Sequence, residues 1–142
     1  LKTERFQMSC LANVILRIMG DDFDPDIISE ELSVEATEKW RKGQKSVRYN
    51  TFKKYDCWLY ATGYKRVTDI NELLTYIYLL FNEKKEKIRI TAEKFQLSIS
   101  LDIVIKMSDE ELPALYFEKR IINFLYHIGA EIDIDMYLTE NK

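Results

Sequence analysis

Between Phe6 and Met19, apolar side chains recur at every second position: Phe6, Met8, Cys10, Ala12, Val14, Leu16 and Ile18. A period of two puts them on one face of a β-strand. Leu11, Ile15 and Met19 make the opposite face partly apolar as well, which predicts a central strand covered in part on both sides. Gly20-Asp21-Asp22 ends this strand, and Asp24-Pro25 opens a helix. The carboxylate can accept backbone N–H bonds there, and proline suits the first turn. Ile28 and Leu32 stack one turn apart, so the helix should run to about Leu32.

Residues 33–54 hold no sustained period and read as a long connection, with an edge strand near Val47 to Phe52. In the next strand Tyr55, Cys57, Leu59 and Ala61 point one way, and Trp58 and Tyr60 the other. Asp69-Ile70-Asn71-Glu72 has the form of a capping box, and Ile70, Leu73, Leu74, Ile77, Leu80 and Phe81 trace a helical stripe behind it. In residues 84–95, Ile88, Ala92 and Phe95 have helical spacing while Ile88, Ile90 and Ala92 alternate like a strand; the charge density favours an exposed helix. Leu97, Ile99, Leu101, Ile103, Ile105 and Met107 then alternate with mainly polar residues, predicting a strand with one buried face. Ser108 and Glu111 form a second capping box, and Phe117, Ile121, Phe124, Leu125 and Ile128 mark a helix that Gly129 should end. A last strand places Ile132, Ile134, Met136 and Leu138 inward, with Glu131, Asp133, Asp135 and Tyr137 outward.

Strands with one polar face argue against a doubly wound sheet covered on both sides. The predicted class is α+β: a four- or five-stranded mixed or antiparallel sheet with helices packed mainly on one face. Its two strand-helix-strand halves suggest a degenerate duplication. At 142 residues the chain has the length of a single domain, residues 1–142. A composition 46% hydrophobic and 32% charged, with four glycines and two prolines, is that of a globular protein.

Charge narrows the partners. Lys and Arg number 21 against 24 Asp and Glu, a net −3, so no broad basic field favours a nucleic-acid backbone. Cys10 and Cys57 belong to no C-x-x-C pair and sit in apolar segments, which predicts buried free thiols. No apolar run reaches the length of a membrane span, and no leader pattern is evident, so a cytoplasmic location is the default expectation.

Four groupings could carry chemistry. Lys39, Trp40, Arg41, Lys42, Lys45, Arg48, Tyr49, Lys53, Lys54 and Trp58 hold the densest positive charge on a long loop, the setting of many recognition surfaces. Asp133 and Asp135, with Tyr137 in the same row, could hold a cation or share acid–base work, and Asp102 could join them from a neighbouring strand. Asp21, Asp22, Asp24 and Asp26 resemble part of a calcium loop but lack its glycine and closing glutamate, which leaves turn formation and capping. His127, the only histidine, falls at the end of a helix, where positive charge suits the free carbonyls. No Gly-rich phosphate loop, zinc motif or nucleophile elbow occurs, and no cofactor is expected.

The Gly20-Asp21-Asp22-Phe23-Asp24-Pro25 turn, Trp40-Arg41-Lys42-Gly43, Cys57-Trp58 and Ile132-Asp133-Ile134-Asp135-Met136-Tyr137 occur in an order that resembles the bacterial family known as domain of unknown function 4279. The resemblance spans almost the whole chain. It implies a compact bacterial domain and no established activity, and it directs attention to Trp40, Gly43, Trp58, Asp133 and Asp135. Gly43 would supply a positive backbone angle, and Trp58 would support the loop from the adjacent strand.

Two functional readings follow. The first is a small protein-binding module, immunity- or antitoxin-like, acting through Trp40, Arg41, Gly43, Arg48 and Trp58 and the adjoining sheet edge. The alternative is a metal-assisted hydrolase using Asp133, Asp135 and Tyr137. Self-association through an exposed sheet edge is a third expectation, whereas nucleic acid and membrane partners are disfavoured.

Overall fold

The computed structural model describes residues 10–108 and 113–139. Within these residues six strands form one sheet: β1 (Cys10–Gly20), β2 (Glu38–Trp40), β3 (Asp56–Ala61), β4 (Lys65–Val67), β5 (Ser98–Met107) and β6 (Ala130–Leu138). The helices are α1 (Asp26–Leu32), α2 (Asn71–Phe81), α3 (Lys85–Phe95) and α4 (Lys119–Ile128), with a short 3-10 turn over 82–84 joining α2 to α3. The order across the sheet is β2-β3-β1-β5-β6, and β4 pairs with the start of β1 on the same side as β3. Every pairing is antiparallel except β5 with β6. The parallel pair is joined through α4, as a crossover between parallel neighbours requires.

Parity along β1 sets the layers. Cys10, Ala12, Val14, Leu16 and Ile18 are buried under the helices together with Ile99, Leu101, Ile103 and Ile105 of β5. All four helices contribute to this core, among them Ile28, Leu74, Ile77, Ile88, Phe124 and Ile128. Trp58 and Tyr60 project into it from β3 and meet the Phe81 ring edge-on, at centroid distances of 6.2 and 5.5 Å. The Trp58 indole N–H donates to Ser29 Oγ of α1 at 3.0 Å, tying the sheet to the helical layer. On the opposite face Ile15, Met19 and Ala61 pack with Trp40, Cys57 and Leu59 in a smaller cluster, so β1 is covered in part on both sides, as its sequence predicts.

The helix over 85–95 is present, closed by Gln96 in the left-handed region. Asp69 acts as a turn rather than a full capping box: its carboxylate accepts the Asn71 N–H at 2.9 Å and its carbonyl the Glu72 N–H at 3.2 Å. Gly129 ends α4 at φ +74°, its N–H reaching the Leu125 and Tyr126 carbonyls, and β6 begins at the next residue.

Three expectations are corrected. The edge strand is Glu38–Trp40 rather than 47–52; residues 44–53 form a turn closed by the Lys45–Phe52 bridge. Phe117 precedes α4, because residues around Ala114 pair with Thr68 to Ile70 and hold the chain extended before the helix starts. The short strands β2 and β4 bring the sheet to six strands instead of four or five. Phe6, Met8 and Glu111 lie outside the described residues. Among those described, no helix is long and apolar enough to cross a membrane.

Ile132, Ile134, Met136 and Leu138 of β6 line up beside Leu101, Ile103, Ile105 and Met107 on the helical side of the sheet. Yet they are 37–71% exposed rather than buried. The sequence period chose their face correctly; position at the edge, beyond the reach of the helical layer, kept them in contact with water.

Candidate functional site

The long connection between β2 and β3 is ordered by its own charges. At the start of β3, Asp56 is only 2% exposed and accepts hydrogen bonds from the Lys42 N–H at 2.6 Å, the Phe23 N–H at 2.9 Å and Arg41 Nε at 3.1 Å. Burial acts to raise its pKa, but these donors prevail and hold the carboxyl below the usual carboxylate range. Lys42 Nζ bonds Asp21 at 2.7 Å, and Lys39 pairs with Asp26. The acidic turn after β1 is thus the counter-surface of the 39–42 segment. Gly43, at φ +87°, turns the chain, its N–H donating to the Lys53 carbonyl at 2.8 Å. The ladder continues through Lys53 N–H to Gln44 and Ser46 N–H to Thr51, both at 2.8 Å.

Beneath this ladder, on the face of the sheet that the helices leave open, lies a cavity of about 640 Å³. Ile15, Trp40, Leu59 and Ala61 supply its apolar lining, Arg17, Lys45, Arg48 and Lys53 its positive charge, and Glu38 a single negative one; Lys39 lies opposite Trp58, on the helical side of β2, and pairs with Asp26. Trp40 is 7% exposed, and its indole N–H is a buried donor with no acceptor among the described residues. Lys53 Nζ sits 3.8 Å from the centre of the Trp40 ring, a cation–π contact. Arg17 reaches across from β1 to bond Asp102 of β5 at 2.7 Å. Burial opposes the charged guanidinium, and the carboxylate more than offsets it, leaving the Arg17 pKa raised. Lys45 and Arg48 are exposed and engage no acidic group among the described residues, so their field is directed at the cavity mouth.

The sequence-derived binding residues therefore separate. Trp40 and Arg48 line the cavity, and Gly43 shapes the turn above it. Arg41 is a strut of the loop, committed to Asp56. Trp58 is fully buried on the other side of the sheet, so it supports the helical core instead of the loop. Arg17, Lys45, Lys53 and Asp56 complete the arrangement; the sequence signal for Arg17 is a lone charge in a mainly apolar strand.

The acidic row lies apart from this cavity, on the same open face but at the far edge. Asp133 is opposite Asp102, Asp135 opposite Val104 and Tyr137 opposite Lys106 in the parallel register. Asp102 is occupied by Arg17 and by Ser100 Oγ at 2.8 Å. Among the described residues no three His, Cys, Asp or Glu side chains converge closely enough to hold a metal ion. His127 faces Glu86 of α3, which Arg89 first and His127 second pull down to about 2. A shallower depression of about 610 Å³ beside them, lined by Arg89, Glu93 and Tyr126, has its arginine spent on Glu86 and Glu93.

Cys10 and Cys57 are both buried and unbridged, as expected. Burial pushes the Cys57 thiol up to about 12, so it is a packing group with almost no thiolate at neutral pH. Native protein should accordingly react slowly with a thiol-specific disulfide reagent, and both cysteines of the sequence should react promptly in guanidinium chloride. Rapid labelling of native Cys57 would contradict this account.

No curated protein and no solved structure matches the chain. A family model does, over residues 10–139, from the start of β1 to the end of the described chain, taking in the Asp56-anchored loop, the cavity and the acidic edge. The chain belongs to that family, described as Domain of unknown function (DUF4279).

Proposed function

We propose that this protein is a binding module that receives an acidic segment of a partner protein in the cavity beneath residues 44–53. The observation that carries this reading is the cavity itself: an apolar floor at Trp40 and Leu59, with Lys45, Arg48 and Lys53 at its rim, Arg17 at its base and Glu38 as the one acidic side chain of its lining. Apolar lining with a few convergent charges is the usual make-up of a recognition pocket. Here three cations, Lys45, Arg48 and Lys53, outweigh the single carboxylate of Glu38 and favour a negatively charged ligand. Trp40 adds a large rigid ring, and its unpaired N–H is a donor that a carboxylate could satisfy if the loop shifts on binding. An immunity- or antitoxin-like role is consistent with such a module, and a cytoplasmic location is retained with it.

Charge reversal is best placed at Lys45 and Arg48, because Arg41 also anchors the loop through Asp56. Lys45→Glu with Arg48→Glu should leave thermal stability within about 0.5 kcal/mol, as surface changes usually do. It should weaken a glutamate-rich peptide by about tenfold or more and abolish partner capture from lysate. Duplex DNA serves as the competing anion and should bind far more weakly than the peptide. Equal binding of wild type and double variant, or preference for DNA, would refute the proposal.

A further inference from the structure

The edge formed by β6 is built differently from the opposite edge. β2 has only three residues, Glu38–Trp40, of which Glu38 and Lys39 are charged and exposed. A short charged edge of that kind is poorly suited to pairing. β6 has nine residues, extends about 30 Å and, among the described residues, pairs on one side only, with β5. Its other side presents a row of backbone N–H and C=O groups, the template for strand addition. On the helical face the edge carries Ile132, Ile134, Met136 and Leu138, all more than one-third exposed. On the open face it carries Glu131, Asp133 and Asp135.

The carboxylates determine which strand can be added. A second copy of β6 would pair antiparallel about a two-fold axis, and matching apolar faces requires the axis to pass through a residue pair in register. Centred on Asp133, Ile134 or Asp135, the registers that overlap most of the strand, such pairing sets Asp133 opposite Asp133, Asp133 opposite Asp135, or Asp135 opposite Asp135. Like charges directly opposite are unfavourable across a strand pair. Nothing within the described residues offsets them: Arg17 is bound to Asp102, and Lys106 lies over the Tyr64 ring at 4.3 Å. The edge thus repels its own kind while keeping an apolar row and a free ladder available.

We propose that the free edge of β6 receives an extended segment of a partner protein in which basic and apolar side chains alternate. Lysine or arginine on one face of that segment would lie beside Glu131, Asp133 and Asp135. Apolar residues on its other face would cover Ile132, Ile134 and Met136. This surface is at the opposite end of the sheet from the cavity, takes a ligand of opposite charge, and does not depend on the cavity reading.

The test uses a fluorescent nine-residue peptide alternating lysine and valine, the length of β6. Controls are a scrambled peptide of the same composition and a version N-methylated at alternate backbone nitrogens. The alternating peptide should bind wild-type protein, and binding should fall by about tenfold or more on N-methylation, on scrambling, and in the Asp133→Asn, Asp135→Asn double variant. Sedimentation should show monomeric wild type, with concentration-dependent dimer appearing once both carboxylates are neutralised. Equal binding of the scrambled or N-methylated peptide, or full binding by the double variant, would overturn the proposal. A wild-type dimer that excludes the peptide would assign the edge to a second copy and overturn it equally.

Discussion

Replacing Asp56 with alanine should cost about 3 kcal/mol and release the 41–55 loop from the sheet. The wild-type carboxylate is buried and accepts three hydrogen bonds, two from backbone N–H groups and one from Arg41. Truncation leaves the Lys42 and Phe23 N–H groups without their acceptor, and hydrogen bonds to a charged group contribute more than neutral ones. Arg41, half-exposed, can return to water, which keeps the cost below that of orphaning a buried ion. The loop should then become the first point of limited proteolysis, while amides of β1 and β5 remain protected from hydrogen exchange. An alanine variant as stable as wild type, with an uncleaved loop, would show that the loop is held by something other than Asp56.

The same carboxylate predicts a pH dependence. Its folded pKa lies below the ordinary aspartate value, so its stabilisation is complete above about pH 4 and is lost as pH falls through the folded value. Asp56→Asn should flatten part of the acid limb of a stability-against-pH curve. Glu86, held at about 2 by Arg89 and His127, is shifted in the same direction, so Glu86→Gln is the necessary comparison. The two variants together should flatten the limb more than either alone, because the sites share no partner.

Trp58→Ala should be the most destabilising single truncation, by about 3–5 kcal/mol, with a fall in Tm on the order of 10 °C. The ring is fully buried, meets Phe81 edge-on and gives its N–H to Ser29. Removing it opens a large cavity where the sheet joins α1 and α2, and folded proteins hold only about 5–15 kcal/mol in reserve. Trp58→Phe should recover most of the loss, leaving about 1 kcal/mol for the missing hydrogen bond. Trp40→Ala makes the informative contrast. Its ring covers a much smaller cluster, so the stability loss should be lower while binding at the cavity is abolished. If denaturant titration instead ranked Trp40→Ala as the costlier change, the assignment of Trp58 to the main core would fail.

The division between those tryptophans shows where sequence reading stopped. Parity along β3 separated Cys57 and Leu59 from Trp58 and Tyr60, because alternate side chains of a strand leave on opposite faces whatever the fold around them. It did not reveal which face the helices would cover and which would receive the 44–53 turn. On sequence alone both aromatic rings therefore group with the basic loop. Likewise Arg41, Lys42 and Lys39 counted as one positive surface until Asp56, Asp21 and Asp26 came within reach and consumed them. What remains for a ligand is the smaller set at 45–53, beside an Arg17 that comes from a strand far earlier in the chain and is already paired with Asp102.

Local periodicity was enough to determine the central strand at 10–20, the alternating strand at 98–107, the helices ending near Leu32, Phe81 and Ile128, and the α+β class, since each depends on the hydrophobic pattern of neighbouring residues and on glycine or carboxylate signals at element ends; over 85–95 both periods fit, and only charge density favoured the helix that forms. Tertiary structure alone decided the rest. The parallel pairing of β6 with β5 set Asp133 beside Asp102; the end position of β6 left Ile134 and Met136 in water; and the turn at Gly43 brought Lys45 and Arg48 over Trp40. Those relations join residues distant in the chain, through strand register and the limited reach of the helical layer, and no local repeat encodes either of them.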